Sequence, residues 1–553
     1  MPYTTRLPVA CGLFGRNCQA CHPFLQFKRT QVCVGHSQEK GIILGVYSDP
    51  EDVKGASFTQ TAMDFDKESG GKMSHALHVA GTIPKLGEYR LLLETHPGFS
   101  VVAMAGLGPE CVGYNEVEDM DEEKENIRIA TSVGARGLQN IGIRSIMTES
   151  MGSAESAAEG TALGVWVFQE MKDVKRQIPI PGIGLYDSCD YTGWQIGLQK
   201  ASAQNLARQL SEIPSNILTP IGFAQSSVDI LAKAGVSVEV KVKAWAKIMD
   251  LNAFLAAGSG SCEPPVFVEL SYYGCEPDTP PLVLIGKGVT FNSGGLCLKT
   301  CEEQKDMRGD KSGAAVVVGA MRAASALNLP MNIRGIIPLT ENMPGPCAVK
   351  PGDVIRSKSG KTIVVEDTDF DGRLMLADAM TYAGIYNPKA IITIGTVAKN
   401  TIEGLGGGAT AGFSNNESMI DQFRIAGIHT GDRVWRFPLW KHYNCKVLAS
   451  PVADSGDNHI ARAYGDPCAA AAFLREFLPP GVDWVHLDNY GTYHTDGTDI
   501  PYLRGPGMTG RPTRTLIEFL AQAACKYDEG AEDVVVEDKK VCPDNNHVTG
   551  VGA

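Results

Sequence analysis

A two-domain α/β chain is predicted by three features of the sequence. Short β-rich runs alternate with helical stretches from Gly41 onward, a long helical pattern over Gly193–Leu210 ends in a cluster of chain breakers, and the alternation resumes beyond it. In the first part, Ile42–Tyr47 and Phe99–Met104 read as strands, and Glu122–Gly137 and Ser153–Lys172 as helices. Between them, Glu116–Glu125 (EVEDMDEEKE) is a charge run expected to form a solvated loop or a first helical turn. The long helix stops at Ser211–Pro214, followed by Asn216 and Thr219–Pro220, and serves as a domain connector. The second part reads as strand Leu282–Ile285, helix Lys311–Leu327, strands Asn332–Leu339 and Thr362–Val365, and helix Leu374–Tyr386. It continues as strand Ala390–Ile394, helix Pro467–Phe477, strand Trp484–Leu487 and helix Thr513–Ala523. The expected organisation is a leader over 1–38, a smaller N-terminal α/β domain over 39–192, a connecting helix over 193–214, a larger C-terminal α/β domain over 215–525 and a polar, acidic tail over 526–553.

Composition bounds the function. The 553 residues carry 50 Lys+Arg against 63 Asp+Glu, a net charge of −13, with 43% hydrophobic and 20% charged residues, as in an ordinary globular protein. The negative excess argues against a nucleic-acid partner held through phosphates, and no run approaches the ~18 apolar residues of a membrane span. Fifteen scattered cysteines fit free thiols in a reducing compartment better than a disulfide scaffold. Cys18, Cys21 and His22 match the C-x-x-C-H spacing of haem attachment, but a match this short reads as coincidence in a cysteine-rich leader. That leader has Arg6, Arg16, Lys28 and Arg29 and no acidic residue before Glu39, the charge bias of a mitochondrial transit segment.

Metal-type ligands cluster in three segments just past expected strands: Gly286–Thr300 (GKGVTFNSGGLCLKT), Met307–Ala315 (MRGDKSGAA) and Glu366–Leu374 (EDTDFDGRL). Loops at the carboxyl ends of strands converge on ligands in open α/β sheets. Carboxylates brought into one cavity repel unless a cation compensates them, and a divalent metal is the natural partner. Taken alone, DTDFDG reads better as a helix cap or turn than as a ligand set.

Together these segments resemble the leucyl aminopeptidase (M17) family of dinuclear metallo-exopeptidases. Asp367–Leu374 corresponds to the family signature Asn-Thr-Asp-Ala-Glu-Gly-Arg-Leu, the first segment to Lys-Gly-(Val/Ile)-Thr-Phe-Asp-Ser-Gly-Gly and the second to Met-(Arg/Lys)-x-Asp-x-x-Gly-Ala-Ala. NLARQLSEIPSNILTP, RFPLW, WVHLD and TGRPTRTLIEFL match as well. The resemblance implies a leucyl-aminopeptidase-like fold and a homohexamer. It also implies two divalent ions, Zn or Mn, that bind a peptide amino terminus and a shared water. A lysine would stabilise the oxyanion, and an arginine would hold a bicarbonate as general base.

On that resemblance Lys287, Asp310 and Asp369 keep metal-ligand positions, Lys299 keeps the oxyanion lysine and Arg373 the bicarbonate arginine. Two metal positions depart from the pattern: Asn292 stands where the family has an aspartate bridging both ions, and Asp371 where it has a glutamate. An amide presents one neutral oxygen, and losing a methylene shortens reach by about 1.5 Å. In the implied substrate pocket Met307 and Thr396 match, while Phe370 replaces an alanine and Lys399 a glycine. One carboxylate fewer and one cation more weaken the hold on two divalent ions, so one ion or none is expected. Lys399 is expected to pair with Asp310, Asp369 or Asp371 in place of the metals.

The resulting expectation is a degenerate member of the family with little or no peptidase activity and a structural or assembly role. The family's degenerate paralogues occur in insect sperm, in mitochondrial derivatives and the flagellum, and this chain looks like them. That would place it in a mitochondrial, cytosolic or flagellar setting, with itself and a larger sperm or cytoskeletal assembly as partners, and neither nucleic acid nor membrane. The alternative is an active Zn- or Mn-dependent aminopeptidase with altered specificity. A peptide- or metabolite-binding regulator is a third reading.

Overall fold

The computed structural model describes residues 39–48, 56–187, 190–457, 465–498 and 500–525. The leader, with its C-x-x-C-H pattern, and the tail lie outside the described residues.

The first sheet runs in the order Tyr89–His96, Phe99–Gly108, Lys40–Ser48, Ser145–Thr148, Gly182–Leu185, with Ala56–Phe58 paired to Lys40–Ser48. Its central strands are continuous apolar runs because both faces are covered. Ile43, Val101, Ala103 and Ala105 face one core with Ile127, Leu138 and Ala158, from helices Glu122–Asn140 and Ala154–Val165. Ile42, Leu44, Val102 and Met104 face another with Phe65, Met73 and Leu77, from helices Gln60–Glu68 and Lys72–Val79. The helix expected over Ser153–Lys172 ends at Val165, seven residues early, because Trp166 turns extended (ψ 137°) and lies under the Arg208 guanidinium, 4.1 Å from its ring centre.

The connecting helix spans Tyr191–Glu212. Asp190 caps it by accepting from Gly193 N–H at 2.7 Å. It stops where Pro214 forces Ile213 into an extended conformation (ψ 127°).

The second sheet runs Val434–Arg436, Thr410–Ser414, Asp483–Asp488, Ala390–Gly395, Leu282–Gly286, Asn332–Asn342, Val266–Tyr273, Ser237–Val242, with Gly288–Asn292 also paired to Asn332–Asn342. Its four inner strands from Asp483–Asp488 to Asn332–Asn342 are parallel. Helices Ser312–Ala326 and Thr513–Cys525 cover one face, through Val316, Ala320, Leu516 and Leu520; helices Asp371–Ala383 and Asp466–Arg475 cover the other, through Leu376, Met380, Ala470 and Phe473. The Leu374 helix begins at Asp371, and Lys311 belongs to a 3-10 turn, Met307–Lys311, ahead of its helix. Among the described residues, no helix is long and apolar enough to cross a membrane.

The two sheets are joined by buried charge. Glu159 accepts from Arg128 Nε and Arg514 Nη1, each at 2.6 Å, and Arg514 also donates to Gln204 of the connecting helix and to the Tyr502 hydroxyl. Lys200 sits between Glu155 and Glu518. The expected solvated charge run takes part too: Glu118 and Asp119 pair with Arg433 and Arg424 of the second domain, at 2.8 and 2.6 Å. Seven described cysteines are free, whereas Cys111 is in a disulfide, contrary to the all-thiol expectation.

Burial pushes the Glu159 carboxyl up, but Arg514, Arg128 and Lys200 outweigh it and hold it down at about 2, below the ordinary 4.5. Its contribution to stability is therefore full above about pH 4.5 and lost as the pH falls toward 2. Glu159→Gln takes the ion-pair partner from the buried Arg514 guanidinium and leaves Arg128 with Glu125 alone, and it is expected to cost about 3–5 kcal/mol at neutral pH. Urea unfolding across the acid range should show the wild-type advantage shrinking over that window.

Candidate functional site

The site lies beyond the carboxyl ends of the parallel strands Leu282–Gly286 and Ala390–Gly395, where Lys287 and Thr396 follow directly. Backbone bonds lock this edge: Lys287 N–H donates to Ile394 O and Ala314 N–H to Lys287 O, both at 2.9 Å. The Lys287 side chain passes between two glycines whose missing Cβ atoms leave it room. A Cβ on Gly372 would sit 2.5 Å from Lys287 Cε, and one on Gly395 2.6 Å from Lys287 Cβ. Asp310 arrives on the 3-10 turn, Asp369 on the loop entering the Asp371–Ala383 helix and Asp371 on that helix's first turn. Thr368 ties two of the loops together, donating to Gly294 O at 2.7 Å and accepting from Cys297 N–H at 2.9 Å.

The expected metal-ligand positions do converge. Lys287 Nζ donates to Asp310 Oδ1 and Thr396 O, both at 2.7 Å, and lies 3.8 Å from Asp371 Oδ1. Thr396 Oγ1 donates to Asp310 Oδ1. Lys299 Nζ donates to Asp369 Oδ2. Burial lifts the Asp369 carboxyl, opposed by Lys299 and reinforced by Asp310, and it lifts the Asp371 carboxyl against Lys287. Burial works against the Lys287 ammonium as well, but Asp310 and Asp371 outweigh it and keep it charged. Two acceptor atoms, Asp369 Oδ1 and Asp371 Oδ2, are buried without a hydrogen-bond partner among the described residues.

Asn292 is at the centre, and its orientation is fixed. Gly294 N–H, a donor without ambiguity, points at Oδ1 from 2.8 Å, and Asn342 Nδ2 donates to the same oxygen at 3.0 Å. The amide nitrogen therefore faces the carboxylates, donating to Asp310 Oδ2 at 3.0 Å and to Asp371 Oδ1 at 3.2 Å. Where a bridging carboxylate would present oxygens, this residue presents N–H groups.

The remaining positions are dispersed. Arg373 is 1% exposed, on the first turn of its helix, with Phe370 stacked on its guanidinium at 3.8 Å. Met307 packs with Tyr493, Met508 and Phe291 in a small apolar cluster beside the site. Lys399 does not meet Asp310, Asp369 or Asp371 as expected. Its side chain is 48% exposed and pairs with Glu303, which holds the Thr300 end of the short Cys301–Gln304 helix. A long side chain on a loop beyond the strand end reaches water at less cost than a buried carboxylate. The cations that do meet the three aspartates are Lys287 and Lys299.

Three participants were not legible in the sequence. Asn342 orients Asn292, Asp466 pairs with Arg373, and Asp457 offers Arg373 its backbone oxygen at 2.7 Å. Asp466 carried a faint signal, an acid followed by proline at a helix start, but nothing local ties it to an arginine 93 residues away.

Comparison with known proteins accords with this geometry. The family model described as "Cytosol aminopeptidase family, catalytic domain" matches residues 205–517, and that for the family's N-terminal domain matches residues 43–175. The chain is 43% identical to the cytosol aminopeptidase of Homo sapiens over 484 residues, covering 87% of this chain and 92% of that protein. It is 34% identical to that of Dictyostelium discoideum, covering 90% and 95%. Among solved structures it is similar to the bottromycin maturation enzyme BotP in complex with Mn, at 29% identity and a TM-score of 0.75, covering 88% of this chain and all of that one. A tomato leucine aminopeptidase mutant shares the fold at a TM-score of 0.73 and 23% identity. The sheet order, the strand-end site and the length of these matches place the chain in the cytosol aminopeptidase (leucyl aminopeptidase, M17) family.

Proposed function

We propose that this chain is a family member whose site no longer bridges two divalent ions, that it has little or no peptidase activity, and that it serves as a structural, self-assembling component. The observation that carries the reading is the Asn292 amide, held by Gly294 N–H with its nitrogen toward Asp310 and Asp371. A bound ion pair would supply Lewis acidity and a more acidic water. The residues present fit one cation at the unpartnered oxygens of Asp369 and Asp371, but they offer no oxygen at position 292 for a second to share. The chain's own groups bind and orient: Lys299, 9% exposed beside Asp369, is positioned for a developing oxyanion, and Thr396 and Lys287 fix Asp310. A homohexamer, as the family resemblance implies, would suit an assembly role, with sperm mitochondrial derivatives or the flagellum as the setting to examine first.

The second reading, an aminopeptidase working with a single ion and altered specificity, is favoured by those same two unpartnered oxygens. The deciding experiment is metal analysis of purified full-length protein together with release of leucine from leucyl amide in added Mn or Zn. At most one ion per chain and negligible turnover are expected. Two ions per chain with substantial turnover would overturn the proposal.

Restoring the pattern tests the cause. Asn292→Asp with Asp371→Glu is expected to raise turnover at least about a hundredfold, in line with what losing groups around a metal costs. In metal-free buffer, Asn292→Asp alone replaces two N–H donors by a third charge beside Asp310 and Asp371. It should lower stability by about 1–3 kcal/mol, recovered on adding Mn, as read by thermal unfolding. Lys399→Gly, by contrast, removes an exposed pair and should alter metal affinity by no more than about twofold.

A further inference from the structure

We infer that the anion position on Arg373 is filled from within the chain by the Asp466 carboxylate, so that this protein takes no bicarbonate there. The inference does not depend on how many metal ions the neighbouring cavity holds.

Arg373 and Asp466 are both buried, 1% and 2% exposed, and Arg373 Nη2 donates directly to Asp466 Oδ1. A guanidinium cannot shed its proton in a protein, so the partner that neutralises it has to carry the negative charge. Asp466 is built to do so. It opens the Asp466–Arg475 helix directly after Gly465, whose φ of 85° makes the entry turn, and so its side chain is carried at the positive end of the helix. The pair is closed and uncharged as a unit.

Little of the guanidinium is left for a visiting oxyanion. Such an anion is recognised by two parallel N–H bonds along one edge of the plane. Nη1 already donates to Asp457 O at 2.7 Å, and Nη2 donates to Val397 O at 3.5 Å besides Asp466. Among the described residues, Nε is the guanidinium nitrogen left without a partner. The Phe370 ring covers one face at 3.8 Å. An incoming bicarbonate would also lie beside the Asp466 charge, and like charges about 4 Å apart weaken binding well beyond tenfold at an effective dielectric of about 20. The Arg373 site therefore does not fit the bicarbonate that the family resemblance implies. Phe370 and Asp466 together convert an anion receptor into a structural ion pair.

Calorimetric titration of the full-length protein with sodium bicarbonate, at fixed pH and ionic strength, tests this without any activity assay. The wild type is expected to show no saturable binding. Asp466→Asn, which keeps the shape and removes the charge, and Asp466→Ala, which opens the position, are each expected to bind bicarbonate at least about tenfold more tightly than the wild type, and adding Arg373→Met should abolish the gain. Saturable binding by the wild type that disappears in Arg373→Met would overturn the inference, as would folded Asp466 variants that bind no better than the wild type. If neither Asp466 variant folds, the wild-type titration decides the matter alone.

Discussion

A single backbone hydrogen bond, from Gly294 N–H to Asn292 Oδ1, sets the chemistry of the cavity. An amide has an acceptor end and a donor end, and once the acceptor is committed the donor must point the other way. The direction left is toward Asp310 and Asp371, whose oxygens take the two N–H groups. The second donor to Oδ1, Asn342, makes rotation of the amide doubly unfavourable, since it would bring N–H against N–H on one side and oxygen against carboxylate on the other.

Around it the site is organised as a set of local charge balances. Lys287 answers Asp310 and Asp371, Lys299 answers Asp369, and Arg373 answers Asp466. In each case burial penalises an isolated charge, and proximity of the opposite sign offsets the penalty. Lys399 lies outside this scheme because its loop gives it a route to solvent and a partner, Glu303, that is itself exposed. Two carboxylate oxygens of the site, on Asp369 and Asp371, remain without a partner among the described residues.

The same principle operates at larger scale between the sheets. Glu159, on a helix of the first domain, sits between Arg128 of that domain and Arg514 of the final helix. Breaking this contact would uncover charge that neither domain can hydrate while the interface stays closed. The final helix in turn packs against the sheet whose strand ends carry Lys287 and Thr396. Domain docking and site geometry are thus properties of one packed body.

The sequence by itself determined the alternating α/β plan, the long connecting helix, and the three loops that bring Lys287, Asn292, Asp310, Asp369 and Asp371 together. Apolar runs bounded by breakers, and glycines where backbone and side chain crowd, are local facts that a linear reading captures. The resemblance read from it also marked Asn292 and Asp371 as departures from the family pattern. Tertiary structure decided the rest. Helix Ala154–Val165 ends early because Trp166 meets Arg208, an arginine on another helix. Lys399 turns to Glu303 rather than to the aspartates, Phe370 lies on the Arg373 guanidinium, and Asp466 closes on Arg373 from a distant helix start. These are choices among partners far apart in the chain, settled by which charges are buried together and which can reach water, and no local pattern of residues encodes that distance.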